Sequence, residues 1–123
     1  MANIHPYFAG VAAENGANWT FEYLEDSVKV NAKSNQDVII SEVGWPTEGK
    51  AEMAAVASVA NQQRLMDDFV CEANRRKIKY YWFEALDLKW KTKEWTVLEG
   101  HWGILTEQKK IKVKLPNCPI ENY

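Results

Sequence analysis

The chain is poor in the residues on which metal, nucleotide and nucleic-acid chemistry depend. Its 123 residues include two histidines and two cysteines, and because the histidines lie far apart we expect no zinc site. The formal net charge is −2 without a basic stripe, which argues against nucleic acid as a partner. The sequence has no glycine-rich phosphate loop, and Ser41 lacks the flanking glycines of a serine nucleophile. We therefore predict neither a metal nor another cofactor.

Long apolar runs are also missing. None approaches the roughly 20 residues that are needed to cross a bilayer, so no membrane span is expected. The first residues, Met-Ala-Asn-Ile-His-Pro, lack the apolar core of a signal peptide, which fits a cytoplasmic protein or a piece of a longer secreted chain. The two cysteines, Cys71 and Cys118, could be free thiols or one disulfide, and their count alone leaves both open.

Apolar and aromatic residues are abundant by contrast. Hydrophobic residues make up 46% of the chain, which is enough for one domain with a core and argues against disorder. The six tryptophans are many for this length. Most fall near predicted strand ends or in loops: Trp45, Trp82, Trp90, Trp95 and Trp102. Some must serve packing, but rings at such positions also suit a carbohydrate groove, where they stack on sugar faces.

Strands and helices alternate along the predicted fold. Asn18 is the expected N-cap of the first helix, whose apolar residues recur at helical spacing. The elements are predicted, in chain order, over residues 3–8, 19–33, 37–42, 58–77 and 78–85. The rest is expected to be irregular, with a loop over 87–100 and extended pieces over 101–105 and 111–115. This α/β order favours right-handed crossovers and a parallel sheet, although three strands cannot close a barrel.

One carboxylate follows the most apolar of the predicted strands. Residues 38–40, Val-Ile-Ile, form a continuous apolar run, and Glu42 comes two positions later, just before Gly-Trp-Pro. Parallel strands bring their carboxyl ends to one edge, where the active sites of β/α barrels form. Glu42 is therefore the candidate nucleophile of a site that cleaves glycosidic bonds, since such a site needs carboxylates. A helix-capping or ion-paired surface glutamate would fit the same pattern.

Candidate partners of Glu42 lie at the ends of the neighbouring strands. His5 and Tyr7 share one face of the first strand, where they could donate hydrogen bonds to Glu42 or to a sugar hydroxyl, or pack in the interior. An aromatic ring of the third strand could form the floor of a sugar subsite. Glu84 could be a second functional carboxylate or the partner of a nearby lysine.

Residues 40–47, Ile-Ser-Glu-Val-Gly-Trp-Pro-Thr, resemble the nucleophile motif of glycoside hydrolase family 17. Other stretches resemble the fungal branch of that family, the cell-wall endo-1,3-β-glucanases and glucanosyltransferases. These stretches are 3–8, 60–63, 67–71, 81–85 and 100–104. Because the likeness follows one order over most of the chain, it implies a glycoside hydrolase that acts on β-1,3-glucan.

The resemblance implies a TIM-type (β/α)8 barrel, of which residues 1–123 would form a C-terminal fragment with strands six, seven and eight. Glu42 would be the nucleophile at the end of strand seven. The acid/base glutamate would lie on strand four, in the missing N-terminal part of the barrel. Since retaining enzymes need two carboxyl groups about 5–5.5 Å apart, we expect this chain to hold the nucleophile half of a retaining hydrolase or transglycosylase and to be nearly inactive alone.

Roles for further residues also follow from the resemblance. His5 and Tyr7 would orient the nucleophile, and Cys71 would form a disulfide with Cys118, as in a secreted or cell-wall protein whose signal peptide lies upstream of this fragment. The expected substrate contacts are His5, Tyr7, Trp45, Phe83, Glu84, Trp90 and Lys91. Leu88 departs from the family, which commonly has a glutamate there. The rival interpretation is a non-catalytic glucan-binding or structural remnant of the same barrel.

Overall fold

The computed structural model describes residues 1–119, which contain a three-stranded parallel sheet with the strand order β1-β2-β3. The elements are β1 (Ala2–Asn3), α1 (Ala13–Tyr23), β2 (Ile39–Val43), α2 (Val59–Arg75), β3 (Lys79–Trp82) and α3 (Lys89–Glu94). The predicted alternation of strands and helices and the parallel pairing are confirmed. Because all three strands run in one direction, their carboxyl ends lie along a single edge of the sheet, where the chain can assemble a site.

The hydrophobic core lies between the sheet and the two long helices. Ile40 of the central strand is fully buried, and Phe21 of α1 stacks on Phe69 of α2 with ring centroids 5.2 Å apart. Tyr80 of β3 meets Phe69 edge-on, whereas its neighbour Tyr81, which points to the other face of the sheet, is 64% exposed. Burial of each large side chain is worth about 1.5–3 kcal/mol, so the helix-covered face carries most of the stability of the sheet.

The first helix begins six residues before the predicted start, and the prediction of an Asn18 cap is wrong. Ala13, Gly16 and Ala17 are buried in α1, and a Cβ at Gly16 would come within 3.1 Å of Leu65 on α2. These small residues let the two helices approach closely, and this packing outweighs the weak helix propensity of Gly16. A π-helical turn (Leu24–Val28) and a 3₁₀ turn (Lys29–Asn31) continue the helix, which makes its end irregular.

Both outer strands are shorter than predicted. β1 ends at Asn3, and a turn begins at Pro6, where the Val11 N–H donates to the Pro6 carbonyl over 3.1 Å. β3 ends at Trp82, before the predicted end at residue 85. Residues 87–100 were expected to form a loop but contain the short helix α3, whose N-cap, Leu88, makes no side-chain capping bond. The sequence signal for this helix is weak because a capping residue is absent.

The last part of the described chain, residues 104–119, runs back over the other elements and is called the C-terminal strap. Leu105 forms a bridge with Leu86 and another with Ile111. Gln63 of α2 binds both backbone groups of Lys114, accepting from its N–H over 2.7 Å and donating to its carbonyl over 2.8 Å. A disulfide joins Cys118 of the strap to Cys71 of α2. No helix within residues 1–119 is both long and apolar enough to cross a membrane.

Candidate active site at the carboxyl end of the sheet

Glu42 lies next to the last residue of β2, with its side chain at the edge where the strands end. Its carbonyl accepts the N–H of Ile4 over 2.9 Å, which fixes the backbone against the segment that follows β1. The preceding residue, Ser41, donates its hydroxyl to the side-chain oxygen of Asn3. The Glu42 side chain is 28% exposed. A carboxylate that is anchored through its backbone and still reachable from solvent has the accessibility that a nucleophile needs.

His5 lies beside that carboxylate and is the basic side chain that could pair with it. Its Nε2 lies 3.9 Å from Glu42 Oε1, which is longer than a direct hydrogen bond. Burial lowers the pKa of His5 below its ordinary value, although the Glu42 carboxylate acts in the opposite direction. The imidazole is therefore neutral at neutral pH, so it leaves the negative charge of Glu42 available for chemistry.

Three aromatic rings surround His5 and form what we call the aromatic wall: Phe8, Phe83 and Trp102. The centroid of the His5 ring lies 5.8 Å from that of Phe8, 6.0 Å from Phe83 and 5.1 Å from Trp102. Trp102 is buried, whereas Phe8 is 50% exposed. The partly exposed rings of Phe8 and Phe83 give a surface on which the apolar face of a sugar can rest, and the buried Trp102 packs against both of them.

Gly44 allows β3 to end directly beside β2. The N–H of Phe83 donates to the carbonyl of Val43 over 2.7 Å, and a Cβ at Gly44 would come within 1.9 Å of the Phe83 carbonyl oxygen. Any side chain at position 44 would therefore push the Phe83 backbone away. A glycine is therefore required for steric reasons in the Glu-Val-Gly-Trp-Pro segment, because only a residue without a side chain lets Phe83 reach the same edge as Glu42.

Glu84 and Lys91 form a largely buried ion pair next to the aromatic wall. Lys91 Nζ lies 3.1 Å from Glu84 Oε2 and 4.9 Å from the centroid of the Phe83 ring. Burial raises the pKa of Glu84 above its ordinary value, and the hydrogen bond and charge of Lys91 oppose this shift. The pair brings a cation and a carboxylate together beside the aromatic wall. The sequence left open whether Glu84 is a functional carboxylate or the partner of a lysine, and in the structure it is the partner of Lys91.

Tyr7 and Trp45 lie away from this site, contrary to their expected roles as substrate contacts and, for Tyr7, as a partner of Glu42. Both rings are fully buried and meet edge-on with centroids 5.1 Å apart. The Tyr7 hydroxyl donates to the Lys50 carbonyl, and the Trp45 indole N–H donates to the Val56 carbonyl over 2.9 Å. The chain leaves the strand direction at the turn near Pro6, so Tyr7 points into the loop after β2. Neither ring offers a surface to a saccharide.

Other rings that the structure brings to this edge were not among the predicted contacts. Phe8 falls in the predicted first strand on the face opposite His5, and Trp102 lies 60 positions after Glu42 in the sequence. A groove beside His5 and Phe8 is also lined by Trp19 and Tyr23, which stack on each other with centroids 5.1 Å apart. The sequence had marked Trp102 only as one of five tryptophans near strand ends or in loops and as part of the family-like stretch 100–104, without placing it near Glu42. Within residues 1–119, no group of three or more histidine, cysteine, aspartate or glutamate side chains is placed to hold a metal ion.

Comparison with known proteins places this geometry in context. Residues 1–103 match the family model of the BtgE/BtgC glycoside hydrolase domain. A probable glucan endo-1,3-beta-glucosidase btgC of Aspergillus flavus is 33% identical to this chain over 96% of the chain and 20% of its own length. The glucan endo-1,3-beta-glucosidase btgC of Emericella nidulans is 32% identical over 96% of the chain and 21% of its own length. The chain therefore spans about a fifth of the length of these curated relatives.

Solved structures share the fold of this chain. An active-site mutant of the Rhizomucor miehei beta-1,3-glucanosyltransferase, in complex with laminaritriose, superposes with a TM-score of 0.81 at 28% identity. The match covers 92% of this chain and 41% of that structure. The Rhizomucor miehei enzyme belongs to glycoside hydrolase family 17, whose structures are TIM barrels. A β-1,3-glucanase and allergen of Cryptomeria japonica pollen shares the fold with a TM-score of 0.60 at 18% identity.

Proposed function

Because this chain belongs to the family of BtgE/BtgC glycoside hydrolase domains, we propose that it supplies the nucleophile half of a retaining site for β-1,3-glucan. The resemblance to glycoside hydrolase family 17 that the motifs indicated is thereby confirmed. The observation that supports the proposal best is the position of Glu42, a solvent-accessible carboxylate at the carboxyl end of the central strand, with His5 and the aromatic wall beside it.

In the proposed architecture, β1, β2 and β3 correspond to barrel strands six, seven and eight, and residues 1–123 belong to one catalytic barrel. Their consecutive order and their parallel pairing fit three neighbouring strands of such a barrel. The exposed Tyr81 supports this, since in a closed barrel the sheet face opposite the helices is covered by other strands. The remaining strands would supply the second carboxyl group.

The proposed reaction proceeds by double displacement. Glu42 attacks the anomeric carbon and forms a glycosyl ester as the glycosidic C–O bond breaks, and the departing oxygen takes a proton from the second carboxyl group. Water then cleaves the ester in hydrolysis, whereas a sugar hydroxyl does so in transglycosylation. General acid help is worth about 10²–10⁴-fold. The chain without that acid should therefore be nearly inactive on natural glucan.

The residues around Glu42 have distinct proposed parts in this reaction. His5 lies beside the carboxylate without neutralising it, because burial holds the imidazole uncharged. Phe83 and Trp90 offer faces for sugar rings, and the Glu84–Lys91 pair holds Phe83 and offers groups to sugar hydroxyls. A secreted or cell-wall location is proposed as well, because the disulfide fits an oxidising compartment and the relatives are named as glucanases of fungi.

An activated inhibitor tests the nucleophile without needing the acid. A dinitrophenyl 2-deoxy-2-fluoro glycoside of laminaribiose has a leaving group that departs unprotonated, and the fluorine slows breakdown of the ester. Incubation with this chain should add the mass of the glycosyl group to the peptide that contains Glu42. The matched control is Glu42→Gln, which should remain unlabelled, while a methyl glycoside of the same sugar should label neither protein. Labelling of another carboxylate, or equal labelling of the Gln variant, would refute the assignment.

A non-catalytic glucan-binding or structural role in the cell wall is the second candidate. Leu88 favours it, since this position at the start of α3 carries no carboxylate. In that case the chain should bind β-1,3-gluco-oligosaccharides with the same affinity before and after Glu42→Gln substitution and should never form the covalent adduct. The labelling experiment above therefore decides between the two roles.

A further inference from the structure

Two tryptophans at α3 form an exposed aromatic corner, which we call the tryptophan pair: Trp90 in the helix and Trp95 directly after it. Trp90 is 51% exposed and Trp95 is 61% exposed. Their ring centroids lie 5.4 Å apart and the planes meet at 66°. Two adjacent indole rings at this exposure leave a contiguous apolar patch in water, and such a patch can mark a binding site. We infer that the tryptophan pair is an outer saccharide subsite, with Trp95 as a specificity-determining residue for long β-1,3-glucan chains.

The helix that carries the pair is held firmly on its inner side. Lys91 forms the ion pair with Glu84, and the Leu88 N–H donates to the Gly100 carbonyl over 3.0 Å. A Cβ at Gly100 would come within 1.8 Å of the Thr92 hydroxyl, so the helix and the following loop are in close contact. The exposed rings are therefore presented from an anchored backbone, and a ligand that stacks on them does not have to order a loose segment.

The pair is continuous with the candidate active site. Lys91 Nζ lies 5.8 Å from the Trp90 ring and 4.9 Å from the Phe83 ring, so one cation lies between them. Phe83 in turn packs against His5, which neighbours Glu42. This chain of contacts leads from the nucleophile along the aromatic wall to the tryptophan pair. A polymer bound at Glu42 can follow the same direction and reach Trp90 and then Trp95.

A β-glucan chain is the occupant that the surface fits best. This inference rests on the proposed function, namely that the cleft binds β-1,3-glucan. The rest of α3 consists of lysine, threonine and glutamate, so the apolar surface is limited to two rings. A stable protein interface needs about 800 Å² from each partner, which is more than two rings provide. A sugar unit presents one apolar face with polar edges, which matches an indole ring flanked by charged groups.

Indole N–H signals of the ¹⁵N-labelled chain provide the test, with β-1,3-gluco-oligosaccharides of increasing length as the titrants. The longer oligosaccharides should shift the Trp90 and Trp95 signals, which are assigned by the variants Trp90→Leu and Trp95→Leu. Each Leu variant should bind the longest oligosaccharide about tenfold more weakly, which corresponds to about 1.4 kcal/mol, and Trp95→Leu should bind the disaccharide as the unmodified chain does. Trp95→Tyr, which keeps an aromatic face, should retain most of the affinity.

Three outcomes would overturn the inference. If oligosaccharides shift signals in the cleft while both Leu variants keep full affinity at every length, the subsite assignment fails and the proposed function stands. If Leu and Tyr at position 95 are equivalent, the ring does not stack on sugar. If no tryptophan signal responds but dilution or Trp95→Leu changes the sedimentation of the chain, the pair is a contact between copies of this chain instead. An unchanged fold of each variant is checked by its unfolding midpoint.

Discussion

Substitution of Lys112 by methionine tests how the edge of the sheet is held together. Lys112 Nζ lies 2.7 Å from Asp87 Oδ1 and donates to the Thr47 hydroxyl over 2.8 Å. The same Asp87 oxygen accepts the N–H of Gly103 over 2.9 Å. A single ammonium group of the C-terminal strap therefore ties together the loop after β2, the loop after β3 and the residue next to Trp102. Lys112→Met removes this charge and keeps the length of the side chain.

The magnitude follows from the burial of the pair. The side chains of Lys112 and Asp87 are only 9% and 13% exposed, so the carboxylate left behind cannot be fully hydrated. Breaking a buried ion pair by removing one partner costs about 3–5 kcal/mol. Small domains are stable by about 5–15 kcal/mol, so the variant should lose a large part of its stability. The double variant Lys112→Met with Asp87→Asn leaves no buried charge and should recover most of the loss.

Urea unfolding followed by tryptophan fluorescence measures both effects. With a urea slope of about 1–3 kcal/mol per molar, a loss of this size moves the midpoint by at least about 1 M. Lys79→Met, which breaks the exposed pair with Asp37 at the other end of β3, is the matched control and should leave the midpoint almost unchanged. A Lys112→Met midpoint equal to that of the control, or a double variant as unstable as the single one, would refute the reasoning.

Two further predictions concern protons and the disulfide. Because the pKa of His5 lies below its ordinary value of 6.5 in the folded chain, the unfolded chain binds more protons than the folded chain just below pH 6.5. The contribution of His5 to the free energy of unfolding should therefore be fully present above that pH and be lost as the pH decreases. His5→Gln should flatten this part of a pH series of unfolding midpoints, whereas an unchanged slope would contradict the pKa shift. Replacing Cys71 and Cys118, which lie 47 positions apart, by serine should destabilise the chain by about 4 kcal/mol through loop-closure entropy. Reduction of the unmodified chain with a thiol should give the same midpoint as this double variant, and a midpoint that stays at the oxidised value would contradict the expected cross-link effect.

The elements with strong local signals were predicted well. Ser58 was expected at the start of the second helix, and in the structure its hydroxyl caps α2 by accepting the Asn61 N–H over 3.0 Å. The apolar run at residues 38–40 likewise leads into the central strand, which is Ile39–Val43. In both places the information lies within a few neighbouring residues. The start of α1 was missed because its reason, the close approach of Gly16 to Leu65, lies in another element.

The candidate site was predictable only in part. The parallel order of the strands is enough to expect His5 near Glu42, and the two groups are 3.9 Å apart. The roles of the aromatic residues were harder to predict, because a sequence does not distinguish a ring that packs in the core from a ring that is exposed for ligand binding. Trp45 and Trp90 had equal standing as predicted contacts, but the first is completely buried and the second is half exposed. Their difference depends on which loop covers each ring.

The amino-acid sequence by itself determined the alternation of strands and helices, the place of Glu42 at the end of a buried strand, and the family, since these depend on short motifs and local periodicity. Only the tertiary structure decided which rings surround that carboxylate. Trp102 reaches His5 through a return of the chain that spans almost 100 positions, and Tyr7, two positions from His5, turns away into the interior. Contacts of this kind depend on which side chains of the whole chain fit together in a close-packed interior, and a local sequence pattern does not contain that information.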